Sequence, residues 1–292
     1  MAGGLLVLFL GMYSWNQRTH TLDDIAANVG LEMSGTVLGT FDSVKGSVMD
    51  AWRRYVDLVG VREENERLRR EFTANVSHEL KTPLTSIMGY AEIIEAGIAK
   101  PTDVVPFAGK IRTEAQRLLS LIEDIIRLSQ LDAGGEEIPF EPIELQPLCC
   151  TVRSRLQSKA DRLGLKIECA GENATVSGQR RTLEQMVFNL ADNALAYNRP
   201  NGSVTIETGT DSDGAPFVRV SDTGIGIAPA DQKRVFERFY RVDKSHSKMT
   251  GGTGLGLSIV KHGAALHGAA LTLDSTLNVG TRITLTFPKN KK

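Results

Sequence analysis

Cysteine is scarce. Three in 292 residues, Cys149, Cys150 and Cys169, have no zinc-ligand spacing and cannot form a disulfide framework. Their number is odd and two are adjacent, so they read as reduced thiols serving as small core side chains. Charge of one sign is also lacking: 34 Lys and Arg against 35 Asp and Glu leave a net charge of -1. There is no broad basic field for nucleic acid, and the lysines at 289, 291 and 292 read as a solubilising tail. There is no internal repeat and no low-complexity segment. Nor does any apolar run reach the roughly 20 residues needed to cross a bilayer. The N-terminal apolar stretch, residues 2–15, falls short and lacks the basic flank of a signal peptide. It reads as the tail of a truncated transmembrane helix, a shallow membrane anchor or a buried segment, with membrane association favoured. No second apolar stretch follows, so no extracellular loop between two spans is expected.

What is present fits a globular protein of about two domains: 41% hydrophobic and 24% charged residues. The expected organisation is an apolar segment over 1–16, a linker or signalling helix over 17–68, a helical domain over 69–133 and an α/β domain over 137–290. Gly30, Gly35, Gly39 and Gly46 weaken any long helix early on. The mixed-charge run 61–71 reads as a solvated helix face. Beyond it, Leu80, Leu84, Ile87, Ala91, Ile94 and Ile98 form a heptad seam, with Gly97 and Pro101 ending the helix. A second seam, Ile111, Ala115, Leu118, Ile122 and Ile125, closes at Gly134 and Gly135. Such a hairpin has too little core to stand alone. Leu119, Leu121 and Ile126 suggest a further buried face, and a dimeric four-helix bundle satisfies both needs. From about 138 the pattern mixes helices (145–163, 182–197, 255–267) with strands (165–169, 204–208, 217–221, 271–274, 281–287), and a hairpin turn is expected at 211–214.

The chemistry begins at His78, in the run Asn75-Val76-Ser77-His78-Glu79-Leu80-Lys81-Thr82-Pro83. A neutral imidazole is a competent nucleophile near pH 7, provided that its second nitrogen holds the proton. A carboxylate accepting from that N–H fixes the tautomer and stabilises the imidazolium, and Glu79 is the candidate. Thr82, four residues on, shares the helix face of His78 and can position a water for attack on a phosphohistidine. Pro83 removes one helical hydrogen bond and is expected to bend the helix below His78. An exposed or capping histidine would be the plain reading. His78, however, lies off the apolar seam, and nucleotide motifs follow it.

Those motifs are three. Asn189 and Asn193 lie one helical turn apart and can present amide oxygens to Mg²⁺ beside phosphates. Asp222, Gly224 and Gly226 follow a strand: a buried carboxylate can accept from the adenine amine while the glycines admit the base. Gly252, Thr253, Gly254, Leu255 and Gly256 open a helix, whose N-terminal amides favour phosphate. Between the last two lies Val235-Phe236-Glu237-Arg238-Phe239-Tyr240-Arg241. Its aromatics can anchor a lid with its tip at 244–250, and Arg238 and Arg241 can reach phosphate.

In this order the five segments resemble the H, N, G1, F and G2 boxes of bacterial two-component sensor histidine kinases, over about residues 70–288. Within that family the chain is similar to the phosphate-regulation (PhoR-like) class. The resemblance implies a fold of two parts, a dimeric helical-hairpin four-helix bundle followed by an α/β sandwich ATP-binding domain of the gyrase and Hsp90 type. It implies ATP and Mg²⁺ as cofactors, His78 as phosphoacceptor, Glu79 as its base, Asn193 with Asn189 as metal ligands, and Asp222 as the adenine contact. Tyr197 and the glycine turns join the nucleotide contacts. Glu79 and Thr82 match the pair linked to phosphatase activity. The implied partners are a second copy of the chain and a response regulator whose aspartate takes the phosphate, with the catalytic part cytoplasmic at the inner face of the membrane. Family members often carry a lysine three residues after the second asparagine; here it is Ala196. That departure leaves room for a catalytically degenerate scaffold. A clamp-type ATPase of the same superfamily is a further alternative, but it leaves the His78 hairpin unexplained.

Overall fold

The computed structural model describes residues 67, 70–132, 139–242 and 252–289. The apolar stretch 2–15, the glycines at 134 and 135 and the lid tip at 244–250 lie outside the described residues. The chain divides into two compact units, Met1–Glu71 and Phe72–Lys292. In the first, Arg67 and Glu71 pair at 3.9 Å with i,i+4 spacing, both solvated, as the mixed-charge run predicts.

The second unit opens with a helical hairpin. Helix α1 runs through 72–95 and helix α2 spans Pro101–Asp132. The α1 helix continues through Pro83. Gly97 takes φ +68°, and the amides of Ile98 and Ala99 both bond to the Ile93 carbonyl, which turns the chain. Pro101 does not end the first helix as expected. It begins the second, where its missing N–H costs nothing. The connection is therefore 96–100, and Ile98 lies in it, 74% exposed, instead of in the seam.

The α/β domain follows. A small antiparallel pair, β1 (Glu141–Glu144) with β3 (Thr175–Gly178), brackets helix α3 (Leu145–Leu163) and strand β2 (Lys166–Gly171). Neither four-residue strand has enough alternation to be legible in sequence. Helix α4 (Arg180–Ala196), β4 (Ser203–Thr210), β5 (Pro216–Asp222), helix α5 (Gly256–Leu266), β6 (Ala270–Thr276) and β7 (Gly280–Thr286) complete it. The five-stranded sheet has the order β2-β4-β5-β7-β6; only β2 and β4 are parallel.

Each element follows from its pattern. Leu145, Leu148, Cys149, Val152, Leu156 and Ala160 make one buried stripe along α3, which ends on Gly164 at φ +67°. Leu183, Met186, Val187, Leu190, Ala191 and Ala194 do the same along α4. Val204 and Ile206 on β4, Val218 and Val220 on β5, and Ile283 and Leu285 on β7 alternate with less buried neighbours and join the helix stripes in one core.

A second, smaller cluster seats the hairpin on this domain. Leu121 and Leu128 of α2 pack with Leu255, the residue that caps the start of α5, and with Ile259 of α5, flanked by Phe72, Leu80, Ile125, Leu131 and Phe239. Of the further face expected at Leu119, Leu121 and Ile126, only Leu121 is buried here. Leu119 and Ile126 are 59% and 52% exposed in the single chain, beside Leu84 and Ile122. The flanking ion pair Arg238–Asp132 is half-solvated and contributes at most about 1 kcal/mol. A buried leucine contributes roughly 1.5–3 kcal/mol, so apolar contact dominates the docking. Leu128→Ala is expected to lower the unfolding free energy by about 2–5 kcal/mol, measured by urea denaturation of the full chain.

Candidate nucleotide and phosphoacceptor site

A cavity of about 600 Å³ opens above α4 and the end of β5. That volume suits a nucleotide-sized ligand. Asn189, Asn193, Tyr197, Asp222, Gly226, Arg241, Gly252, Thr253, Gly254 and Gly256 all line it. Residues far apart in sequence thus converge as the motifs predict.

The Asp222 carboxylate is well defined. Asp222 Oδ1 accepts the Gly224 N–H at 2.8 Å and the Thr281 N–H at 3.2 Å. Burial pushes its carboxyl above the usual range, and these two donors oppose that shift. Gly224 has no alternative: a Cβ there would lie 2.3 Å from the Tyr197 carbonyl oxygen and 2.8 Å from Asp222 Oδ1. It supports the carboxylate rather than lining the cavity. Thr281, on β7, is not legible as a site residue from sequence, because its role depends on strand pairing.

The two asparagines differ. Asn189 is nearly buried, accepts from Gln185 Nε2 at 2.7 Å and donates from Nδ2 to the Gly256 carbonyl at 3.1 Å. It ties α4 to the glycine turn that starts α5. Asn193 lines the cavity without a side-chain hydrogen bond among the described residues, and so has an amide oxygen to offer a cation. Among the described residues there is no cluster of three or more His, Cys, Asp or Glu side chains able to hold a metal. Any Mg²⁺ at Asn193 would need oxygens from phosphate and water to complete its shell, which is the usual pattern for that ion. Gln185 lies one helical turn before Asn189, and that spacing is the signal by which it could have been found.

The glycine turn at 252–256 is closed by its own side chain, Thr253 Oγ1 accepting the Leu255 N–H at 3.2 Å. Leu255 itself packs into the hairpin cluster and does not face the cavity. Gly254 sits at φ +73°, with Phe239 so close that a Cβ would lie 3.0 Å from its Cα. Phe239 is also held at positive φ, +61°, by its N–H bond to the Gly254 carbonyl and its packing on Phe72.

The two arginines part company. Arg238 is turned away from the cavity: it donates to Asp132 at 2.7 Å, meets His262 Nε2 at 3.0 Å and lies over the Phe72 ring. Arg241 lines the cavity, donates to the Gly252 carbonyl, and lies 3.7 Å from Glu79. Burial pulls its pKa down and the Glu79 carboxylate pulls it back up. Glu79 also faces Arg117 at 3.8 Å. In this arrangement its carboxylate is turned to the two guanidinium groups and makes no hydrogen bond to the His78 imidazole. His78 is exposed on α1, and Thr82 Oγ1 donates to the His78 carbonyl at 3.1 Å.

The hairpin also enters the cavity wall, which the sequence motifs do not foretell. Ser120, Glu123, Asp124 and Arg127 of α2 line it. Thr253 Oγ1 donates to Asp124 Oδ2 at 2.7 Å across 129 positions of sequence, a contact with no local signature. Burial raises the Asp124 carboxyl, the Thr253 hydrogen bond lowers it, and Arg127 and Glu123 act in opposite senses.

A histidine-bearing helical hairpin seated on a two-layer domain with an Asn, Asp and glycine-turn cavity defines a class: a phosphoacceptor helix pair coupled to a nucleotide-binding domain. Known proteins agree segment by segment. Residues 68–134 match the His Kinase A (phospho-acceptor) domain, and residues 178–291 match the histidine kinase-, DNA gyrase B-, and HSP90-like ATPase. The chain belongs to the bacterial two-component sensor histidine kinases. It is 40% identical over 237 residues to the sensor-like histidine kinase SenX3 of Mycolicibacterium smegmatis, covering 80% of this chain and 61% of that one. The chain thus spans about three-fifths of that relative's length. Its fold is similar to that of the Acinetobacter baumannii histidine kinase AdeS, with TM-score 0.61 and 24% identity over 73% of this chain and 98% of that one. It is also similar to the histidine kinase ThkA, solved in complex with the response regulator protein TrrA, with TM-score 0.61 and 21% identity over 78% and 64% of the two chains.

Gly224→Ala is expected to displace Asp222 and weaken adenine-nucleotide binding at least tenfold, measured by titration calorimetry. Asp124→Asn removes a carboxylate from beside the glycine turn and is expected to tighten binding of a non-hydrolysable ATP analogue several-fold. Unchanged affinity would mean that Asp124 does not compete with phosphate.

Proposed function

We propose that this chain is an ATP-dependent protein-histidine kinase that phosphorylates itself on His78 and passes the phosphoryl group to an aspartate of a response regulator. The observation that carries this reading is Arg241. One guanidinium is bonded to the glycine turn and lies 3.7 Å from Glu79, the neighbour of His78, so the phosphate cradle and the acceptor segment share a cation. Such a cation is placed to stabilise charge on a transferring phosphoryl group.

The roles follow from the chemistry of each side chain. Asp222 receives the adenine amine. The amides and hydroxyl of the 252–256 turn hold the phosphates. Asn193, with Asn189 behind it, would hold Mg²⁺, which when bound would neutralise phosphate charge. His78 attacks in line as neutral imidazole and Glu79 takes its proton, which requires the carboxylate to turn from Arg117 and Arg241 towards the ring. In the reverse sense, Thr82 and Glu79 position water to release phosphate from the regulator. The exposed apolar residues Leu84, Leu119, Ile122 and Ile126 support pairing with a second copy in a four-helix bundle. The domains are read as a phosphoacceptor hairpin over 69–133 and an ATP-binding domain over 137–290, with 17–68 as signalling linker. No helix among the described residues is long and apolar enough to cross a membrane. Membrane association is assigned to the segment 1–16, with the catalytic part at the cytoplasmic face. The solved complex of ThkA with a response regulator protein supports a receiver domain as partner.

Incubation of the full chain with Mg²⁺ and γ-labelled ATP tests this. Acid-labile, alkali-stable label is expected, and its complete loss in His78→Gln. No label despite measurable ATP binding would instead support a degenerate scaffold, for which Ala196 leaves room. A pH series adds a second test. The ionised Asp222 accepts the adenine amine, so affinity is full above its pKa and falls as pH drops through it. Because burial raises that pKa, the loss is expected to begin at higher pH than for an ordinary carboxylate near 4. Calorimetry with ADP from pH 7.5 down to about 4.5 reads this out.

A further inference from the structure

The three cysteines are not all passive core residues. Helix α3 is joined to edge strand β2 by three side-chain rungs. Gln146 Nε2 donates to the Gly171 carbonyl at 3.1 Å, and Arg153 Nε donates to the Ile167 carbonyl at 3.3 Å. Between them the Cys150 thiol donates to Cys169 Sγ at 2.8 Å. Partners fall along β2 as positions rise along α3, so helix and strand run antiparallel and are clamped on both sides of the thiols. All three cysteines are free. Cys149 is fully buried, whereas Cys150 and Cys169 are only partly covered. Among the described residues β2 has a neighbour, β4, on one side only.

We propose that Cys150 and Cys169 are a modification site, forming a reversible disulfide by exchange with a low-molecular-weight disulfide. The sulfurs already point at each other in a register held from both sides, so closing the bond needs only a small approach. In the first step the Cys150 thiolate attacks one sulfur of the small disulfide, and one small thiolate leaves. In the second, Cys169 gives up its proton to solvent and attacks Cys150 Sγ, expelling the small molecule held there. Two protein thiols are oxidised and one small disulfide is reduced to two thiols. Burial, and then the hydrogen bond from Cys150, push the Cys169 thiol up to about 12, which suits a resolving thiol rather than the initiating one. Burial also pushes Cys149 up and keeps it out of the exchange. The staple lies one helix behind the asparagine pair, because the buried stripes of α3 and α4 share one core, with the Lys159–Asp192 and Arg155–Glu184 pairs bridging the two helices.

The test equilibrates the full chain in oxidised and reduced glutathione, alkylates remaining thiols under denaturing conditions and maps the peptides. A cross-link between Cys150 and Cys169 is expected, with a mass loss of about 2 Da that dithiothreitol reverses. A rise in melting temperature of about 5 °C or more should accompany it. Cys150→Ser and Cys169→Ser should each abolish the shift, and Cys149→Ala should keep it. The wild-type peptide map decides the matter even if a variant fails to fold. Full alkylation of both thiols after equilibration in oxidised glutathione would overturn the proposal. So would a stable glutathione adduct on Cys150, or a cross-link between Cys149 and Cys150.

Discussion

The apolar contact of Leu121 and Leu128 of α2 with Leu255 and with Ile259 of α5 sets the geometry of the site. Leu255 is the residue from which α5 starts, and that start is the glycine turn. Seating the hairpin there brings Asp124 onto Thr253 and Glu79 within reach of Arg241. The polar contacts are partly solvated and each contributes little on its own. They select a register for an interface whose free energy comes mostly from buried leucine and isoleucine. Phe239 shows the same hierarchy. Its positive φ, costly for an aromatic residue, is offset by packing against Phe72 and by one backbone hydrogen bond.

Within the cavity, opposite electrostatic needs are kept apart. One side is the Asp222 carboxylate under burial, relieved by the amides of Gly224 and Thr281. The other side is an open glycine turn with Arg241 beside it, and in this arrangement also with Asp124. An acid hydrogen-bonded to the turn hydroxyl occupies the kind of contact an anionic phosphate would make. The hairpin is therefore both the bearer of His78 and a wall of the nucleotide cavity. Binding at one and movement of the other are linked wherever these contacts must exchange.

Much of the site is legible in the sequence because each motif carries a local constraint. Asn189 and Asn193 must share a helix face at a spacing of four, and a carboxylate followed by glycines must be a tight approach at a strand end. Local punctuation is more ambiguous: Pro101 reads as a stop after Gly97, although its geometry equally begins a helix. Arg238 and Arg241, three residues apart in one loop, cannot be told apart by pattern. Only packing decides that one meets Asp132 and His262 while the other lines the cavity. Likewise, nothing in the spacing distinguishes Asn189, spent on Gln185 and Gly256, from Asn193, left facing the cavity.

Sequence by itself determined the helical hairpin, the α/β character of the following domain, the family and the motifs that supply much of the cavity lining. These depend on periodicity and on residue types whose chemistry or backbone freedom has few substitutes. Tertiary structure alone decided which face of α2 meets the glycine turn, which arginine reaches Glu79 and which thiols oppose each other. Those outcomes rest on contacts between residues 19 to 162 positions apart, set by how two amphipathic surfaces fit, and no local pattern encodes that fit.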